Sequence, residues 1–280
     1  MRIGRFEAIL LLGGPVLFLV VFFIAPFALM TIASLQQKSG EWSAGQYAKL
    51  ATDRYYWEIL LETFKIGLWV AFVTFVLGYA LAYYITFQVK TRFVRRVIFL
   101  VVVTPLFTSN IVRSFAWIIM LGRQGIVNQG LQASGLTSEP LSLVYSKTGV
   151  IIGLSYVLLP FMVLTVSSIL QNLNRTLLEA ARDLGASPLM AFLKVTFPLS
   201  LPGVIAGSLM VFTLAVSAYV TPSVMSGGRF NVMPMLIFQQ YMVLFDFNFG
   251  AALAILLMIT TLLLMGAYVL ALERRARTLG

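Results

Sequence analysis

Six apolar runs alternate with polar stretches along the chain, at about residues 8–35, 63–88, 98–121, 149–170, 203–225 and 249–272. Each run has at least 22 residues, and about 20 suffice for a helix to cross the hydrocarbon core of a bilayer. The pattern predicts an all-α membrane protein of six transmembrane helices, with residues 1–280 as a single transmembrane domain. The first run has 28 residues, whereas the apolar core of a cleaved signal peptide has about 7–15; it is read as a retained span. Pro15 and Pro26 interrupt it, which a membrane helix tolerates when its neighbours satisfy the freed carbonyls.

The polar stretches differ in kind. Residues 36–62 carry Trp42, Tyr47, Tyr55, Tyr56 and Trp57, rings that suit an interfacial helix at headgroup level. Lys90, Arg92, Arg95 and Arg96 make a tight basic turn, and GRQGIVNQGL within residues 122–148 reads as a short helix. Placing alternate stretches on opposite sides puts twelve Lys and Arg with the termini and six across the membrane, with Lys65 and Arg113 inside spans. The positive-inside rule then assigns both termini and residues 171–202 to the cytoplasm. The net charge of +10 is therefore topological, with +8 on the inner side and none outside. It needs a lipid bilayer and no nucleic-acid partner.

Residues 171–202 are the longest polar interruption on the cytoplasmic side. Asn174 can cap a first helix, its side chain accepting from free N–H groups of the first turn. Leu177, Leu178, Ala181 and Leu184 give that helix an apolar side, and Arg175, Glu179, Arg182 and Asp183 a polar one. Gly185 stands where a helix ends in a left-handed residue. Ser187 and Pro188 restart the chain as cap and first helical residue, and Pro198 and Pro202 are expected to close the unit. The spacing predicts a compact helix–turn–helix on the membrane face, either a docking knob for a soluble partner or an ordinary interfacial loop.

The run Glu179-Ala180-Ala181, three residues, Gly185, nine residues, then Val195-Thr196-Phe197-Pro198 resembles the EAA loop of ABC importer permeases, E-A-A-x3-G-x9-I-x-L-P. Val195 and Phe197 are conservative departures from its Ile and Leu. The resemblance implies a type I ABC importer permease fold whose cytoplasmic coupling loop docks into a cleft on an ATPase subunit. Glu179, Ala180, Ala181, Asp183, Gly185, Ala186, Ser187 and Pro188 are then the candidate ATPase-coupling residues.

Composition narrows the chemistry. The chain is 60% hydrophobic and 11% charged, too apolar for a soluble domain of this length. It has no Cys and no His, which removes disulfides, thiol chemistry and an imidazole base. No G-x-x-x-x-G-K-[ST] occurs, so nothing here cradles a nucleoside triphosphate. The chain is read as non-catalytic and without a cofactor of its own. If ATP drives transport, ATP and Mg are bound by partner ATPase subunits.

Candidate solute contacts follow from polar features at membrane depth. Arg113 is the one charge well inside a span, where burial costs about 2.5–3.5 kcal/mol on insertion scales. It either lines the pathway or plays a structural part, snorkelling or bonding backbone carbonyls; we favour the structural part, given its 15-residue distance from Ile98. Thr221-Pro222 should break the fifth span, since proline removes a donor and clashes with the preceding turn. A broken helix at membrane depth is tolerable only beside a cavity, so Tyr219 and Thr221 could touch solute. Asp246 either attracts a cationic solute or caps the last helix. LGYALAYYI at 77–85 is similar to the second span of polyamine-type permeases, SAYVTPSVMSGG at 217–228 to the fifth span of the first permease of such importers, and VRSFAW at 112–117, which contains Trp117, to the same subfamily. The small residues Gly78, Ala80 and Ala82 of the first of these could let helices approach closely.

Together these readings imply a permease subunit of an ATP-driven importer in a bacterial inner membrane. Its partners would be two ATPase subunits, a second and different permease, and an extracytoplasmic solute-binding protein. A polyamine such as spermidine or putrescine, or a related small organic solute, is the expected cargo. An ion- or proton-coupled secondary transporter is the alternative, but it would want buried acidic or His residues, and no span holds Asp or Glu. A membrane scaffold or receptor that signals through the docking loop is a third reading.

Overall fold

Fourteen α-helices follow one another along the described residues. A computed structural model describes the backbone of residues 5–277 except residue 38, and the side chains of residues 12–270 except 38 and 175. Glu7, Lys38, Arg175, Glu273 and the terminal arginines counted above lie outside the described side chains. Helices α1 (Arg5–Leu19) and α2 (Ala25–Ser34) are joined by a π-turn at Val20–Ile24, and α3 is Gly45–Thr52. Helix α4 (Arg54–Tyr83) ends in a second π-turn, Tyr84–Gln88. Helices α5 (Arg92–Val103) and α6 (Asn110–Leu121) flank a 3-10 turn at Thr104–Phe107, and α7 (Ile126–Ala133) and α8 (Lys147–Gln171) follow. Then come α9 (Arg175–Asp183), α10 (Pro188–Ala191), a third π-turn at Phe192–Thr196, and α11 (Phe197–Val216). Helices α12 (Val220–Met225), α13 (Met233–Met242) and α14 (Phe247–Arg277) follow.

Among the described residues, five helices are long and apolar enough to cross a membrane. Counted as one broken span, the pair Arg92–Phe107 and Asn110–Ala133, bent by 104°, gives a sixth. No strand forms among the described residues; one isolated bridge joins Gln36 and Trp42. The fold is that of an all-α membrane protein.

Four elements depart from the apolar pattern, each for a local reason. The second span does not start at residue 63: its helix begins at Arg54, because nothing in YYWEILLE breaks it. Residues 98–121 are not one straight helix. They turn at Pro105 and at the polar triplet Thr108-Ser109-Asn110, where proline withholds a donor. The fifth span breaks at 217–219 rather than at Thr221-Pro222, and Pro222 lies in the first turn of α12. A proline ring clashes with the carbonyl four residues back, here that of Ala218, so the break falls there. Finally, Pro198 and Pro202 do not close the cytoplasmic unit, since α10 continues through a π-turn into α11. The carbonyl that Pro198 would strike belongs to Lys194, inside that widened turn.

By contacts the chain forms two compact units. One comprises residues up to Glu58 with Leu236–Leu262. In it, Lys49 sits 4.4 Å from the Phe249 ring centre, Tyr56 meets Phe249 edge-on at 5.3 Å, and the Asn248 amide donates to the Ala33 carbonyl at 2.9 Å. The other comprises Ile59–Met235 with the end of α14. Its core is Val70, Met162, Val163, Val166 and Val211, all fully buried. Helices α8 and α11 pack closely because glycine removes the side chain between them. A Cβ on Gly207 would stand 2.4 Å from the Thr165 hydroxyl oxygen, and one on Gly203 2.8 Å from Ile169. Gly78 likewise admits Met162, and Ala82 is buried, whereas Ala80 is exposed and takes no part in close packing.

Candidate functional site: a broken-helix cavity and an exposed helix–turn–helix

The two broken spans meet at a cavity of about 570 Å³. The bend after Pro105 supplies Asn110 and Arg113, α8 supplies Phe161, and the gap between α11 and α12 supplies Ser217, Tyr219 and Thr221. At this gap the Thr213 and Ala215 carbonyls of α11 accept from the Ser217 and Ala218 N–H groups at 3.1 and 3.3 Å, and the Leu214 carbonyl accepts from the Ser217 hydroxyl at 3.3 Å, so the last turn is closed locally where Ser217 and Ala218 line the wall.

Arg113 ties the bend together. It is 8% exposed. One guanidinium nitrogen donates to the Pro105 carbonyl and another to the Asn110 side-chain oxygen, while its Nε is buried without a partner. These bonds join the end of one half-helix to the start of the next. The depth argument for snorkelling assumed a straight helix from Ile98, and the 104° bend removes that premise. Ser114 donates to the Asn110 carbonyl at 2.8 Å, and its oxygen lies 3.4 Å from the Thr221 hydroxyl. Behind them, a Cβ on Gly153 would collide with Met225 at 2.7 Å, so glycine on α8 lets α12 seat against it.

The cavity thus gathers Arg113, Tyr219 and Thr221 from the sequence reading. Trp117 does not line it; its ring packs edge-on against Tyr156 at 5.5 Å. Pro222 is buried in the first turn of α12. Asp246 belongs to the other compact unit, where its carboxylate accepts from the Phe249 N–H at 3.1 Å and caps α14. Asn110 and Phe161 went unnoticed in the sequence, although the polar triplet 108–110 inside an apolar run was a signal for the first; Ser217 opens the stretch 217–228 but was not named as a contact. Among the described residues, no group of three or more acidic, His or Cys side chains is placed to hold a metal ion.

The second candidate is residues 171–202. Asn174 caps α9, its side-chain oxygen accepting from the Thr176 N–H at 3.1 Å. The helix ends in a Schellman turn: Ala186 N–H bonds the Ala181 carbonyl at 3.0 Å and Gly185 N–H bonds that of Arg182 at 2.8 Å. Gly185 has φ +84°, a conformation that glycine adopts without steric cost. Ser187 then caps α10 by accepting from the Met190 N–H at 3.3 Å. Glu179, Ala180, Asp183, Gly185, Ser187 and Pro188 are exposed, and Ala181 and Ala186 half-buried. Leu184 is 89% and Leu189 67% exposed, beside exposed Leu177 and Met190. Leu189 and Met190 were missed in the sequence, where α10 is too short to display a periodicity.

Spans of this kind, two of them broken around a cavity, with an exposed helix–turn–helix before the fifth, define a type I ABC importer permease. Solved structures agree on the fold. A bacterial ABC transporter that imports the acidic polysaccharide alginate superposes with TM-score 0.76 at 15% identity, covering 96% of each chain. The bacterial alginate transporter in complex with an alginate pentasaccharide-bound periplasmic protein gives 0.72 at 14%, covering 93% of this chain and 91% of that one. The sequence is more specific. Residues 74–278 match the family of binding-protein-dependent transport system inner membrane components, and the chain belongs to that family. It is 34% identical over 228 residues to the spermidine/putrescine transport system permease protein PotB of Escherichia coli K12, covering 81% of each. It is thus a multi-pass inner-membrane permease of polyamine-type likeness.

Proposed function

We propose that this chain is one of two permease subunits of an ATP-driven importer for a polyamine such as spermidine or putrescine. The observation that carries the substrate class is the 34% identity to PotB over most of both chains. The cavity of about 570 Å³ supports a pathway role. Its polar wall cannot face lipid, because backbone groups in hydrocarbon need partners. A second, different permease therefore covers it, and the two halves enclose one path. Ammonium groups of the solute meet aromatic faces and carbonyls here, through Phe161, Tyr219 and the end of α11. No carboxylate lines this wall, so acidic groups come from the partner permease. Arg113 holds the bend rather than the solute.

The exposed Leu184, Leu189 and Met190 support docking of residues 171–202 into an ATPase subunit, since apolar groups clustered at an aqueous face mark interaction sites. Two ATPase subunits bind ATP and Mg, a binding protein delivers solute from outside, both termini face the cytoplasm, and residues 1–280 act as one non-catalytic membrane domain. Closure of the ATPases shifts the permease pair between inward- and outward-open populations. The test is reconstitution of the four components in vesicles. Spermidine uptake should require ATP and the binding protein. Uptake driven by a proton or ion gradient without ATP would instead identify a secondary transporter.

A further inference from the structure

The docking segment is held by more than its own chain. Directly after α10, Phe192 opens the π-turn, and its ring stands edge-on to Tyr83 at 5.4 Å and 90°, and to Tyr79 at 5.8 Å and 79°. Phe197, at the other end of the turn, lies 5.7 Å from Tyr79 and 6.1 Å from Phe192. A buried hydrogen bond of 2.8 Å joins the Tyr79 and Ser200 hydroxyls. Ser200 gives its own hydrogen to the Phe197 carbonyl at 2.9 Å, so Tyr79 is the donor in that bond. Ser200 is fully buried and Tyr79 6% exposed.

The arrangement has a directional consequence. Helix α10 is one turn long and leads into α11 through a stretch with i→i+5 bonding, a geometry often found at functional sites. Along the chain alone, a push on α10 would be lost by flexing this turn. Across the cluster, the same push meets the cytoplasmic end of α4, which itself ends in a π-turn at Tyr84–Gln88. Edge-to-face rings resist sliding because their attraction depends on orientation.

We propose that Tyr79, Tyr83, Phe192, Phe197 and Ser200 form a transmission clasp. It makes α4 move with the docking segment when the ATPases close, and Phe192 is its positioning residue. The proposal rests on the docking reading above. It adds that the mechanical output reaches the second span through aromatic contact and does not depend on the fifth span alone.

The test uses the complete transporter in vesicles, with labelled spermidine as probe and ATP hydrolysis measured in parallel. Phe192→Ala should leave the ATPase bound at the wild-type level and ATP hydrolysis active, yet lower spermidine moved per ATP at least fivefold. Phe192→Tyr should restore it, and Tyr79→Phe, which removes only the hydroxyl, should lower it about twofold. Unchanged stoichiometry in Phe192→Ala would overturn the clasp. Because the chain has no cysteine, a Tyr83→Cys, Phe192→Cys double variant gives an independent reading. It should be uncoupled when free, regain coupling when joined by a reducible bifunctional thiol reagent, and lose it again on reduction. If joining the pair instead blocks uptake that the free variant performs, the two helices part during the cycle and the clasp is wrong. Failure of the docking reading looks different: the wild-type chain would then not retain the ATPase at all.

Discussion

The cavity around Arg113 and the docking segment break the usual partition of polar and apolar groups in opposite directions. At membrane depth, the cavity collects a guanidinium, an amide, hydroxyls and backbone carbonyls. At the aqueous face, the docking segment displays Leu184, Leu189, Leu177 and Met190. The cavity satisfies most of its polar groups internally, so its geometry is set before any solute arrives. The docking segment satisfies its backbone through caps and a Schellman turn but leaves its apolar side chains uncovered. One site is thus a preformed wall, and the other, on the reading proposed above, a preformed plug for an ATPase subunit. A change in the first should cost the fold, whereas a change to the exposed side chains of the second should cost only assembly.

Four substitutions probe that contrast. Arg113→Ala should have the largest effect on stability, about 3 kcal/mol, because it removes two charge-assisted hydrogen bonds and leaves the Pro105 carbonyl only its bond from the Thr108 N–H. Thermal unfolding in detergent and membrane yield would both fall, with solute preference unchanged. A changed preference at normal yield would move Arg113 from structure to pathway. Leu184→Asp should leave unfolding unaltered but weaken ATPase binding by about 2 kcal/mol, the scale of an interface hot spot. Co-purification from detergent reads this directly, and equal recovery of the ATPase would remove Leu184 from the interface. Gly185→Val forces a β-branched residue into left-handed backbone at a cost of about 1–2 kcal/mol. The protein should insert normally and hydrolyse ATP without matching uptake; normal transport would count against the turn as the fixed hinge. Asn174→Ala deletes a helix cap worth about 1 kcal/mol. Faster amide exchange across 175–178, with little change in uptake, is the expected outcome.

Much of the docking segment could be read from the chain because its determinants are local. A cap at Asn174, a left-handed Gly185 and a Ser187-Pro188 restart each depend on a few neighbouring residues. The apolar runs likewise announced the membrane helices, since span length is a property of composition. What escaped depends on cancellation or on distance. Pro198 promised a stop, and the π-turn before it absorbed the clash. Pro222 foretold a break, but its effect lands four residues upstream. Pro105 sits in an apolar run that reads as continuous until the bend places Arg113 beside its carbonyl. The ring cluster joins Tyr79 to Phe192, residues far apart in sequence whose meeting no periodicity encodes.

The central claim is that residues 171–202 are gripped by a separate ATPase. It is tested most directly by placing Leu184→Cys in the cysteine-free chain, assembling the transporter and adding a short thiol crosslinker. The account predicts one dominant product that joins this chain to the ATPase subunit and disappears with the ATPase omitted. A product with the external binding protein, or labelling of the cysteine by an impermeant reagent from outside sealed cells, would contradict it.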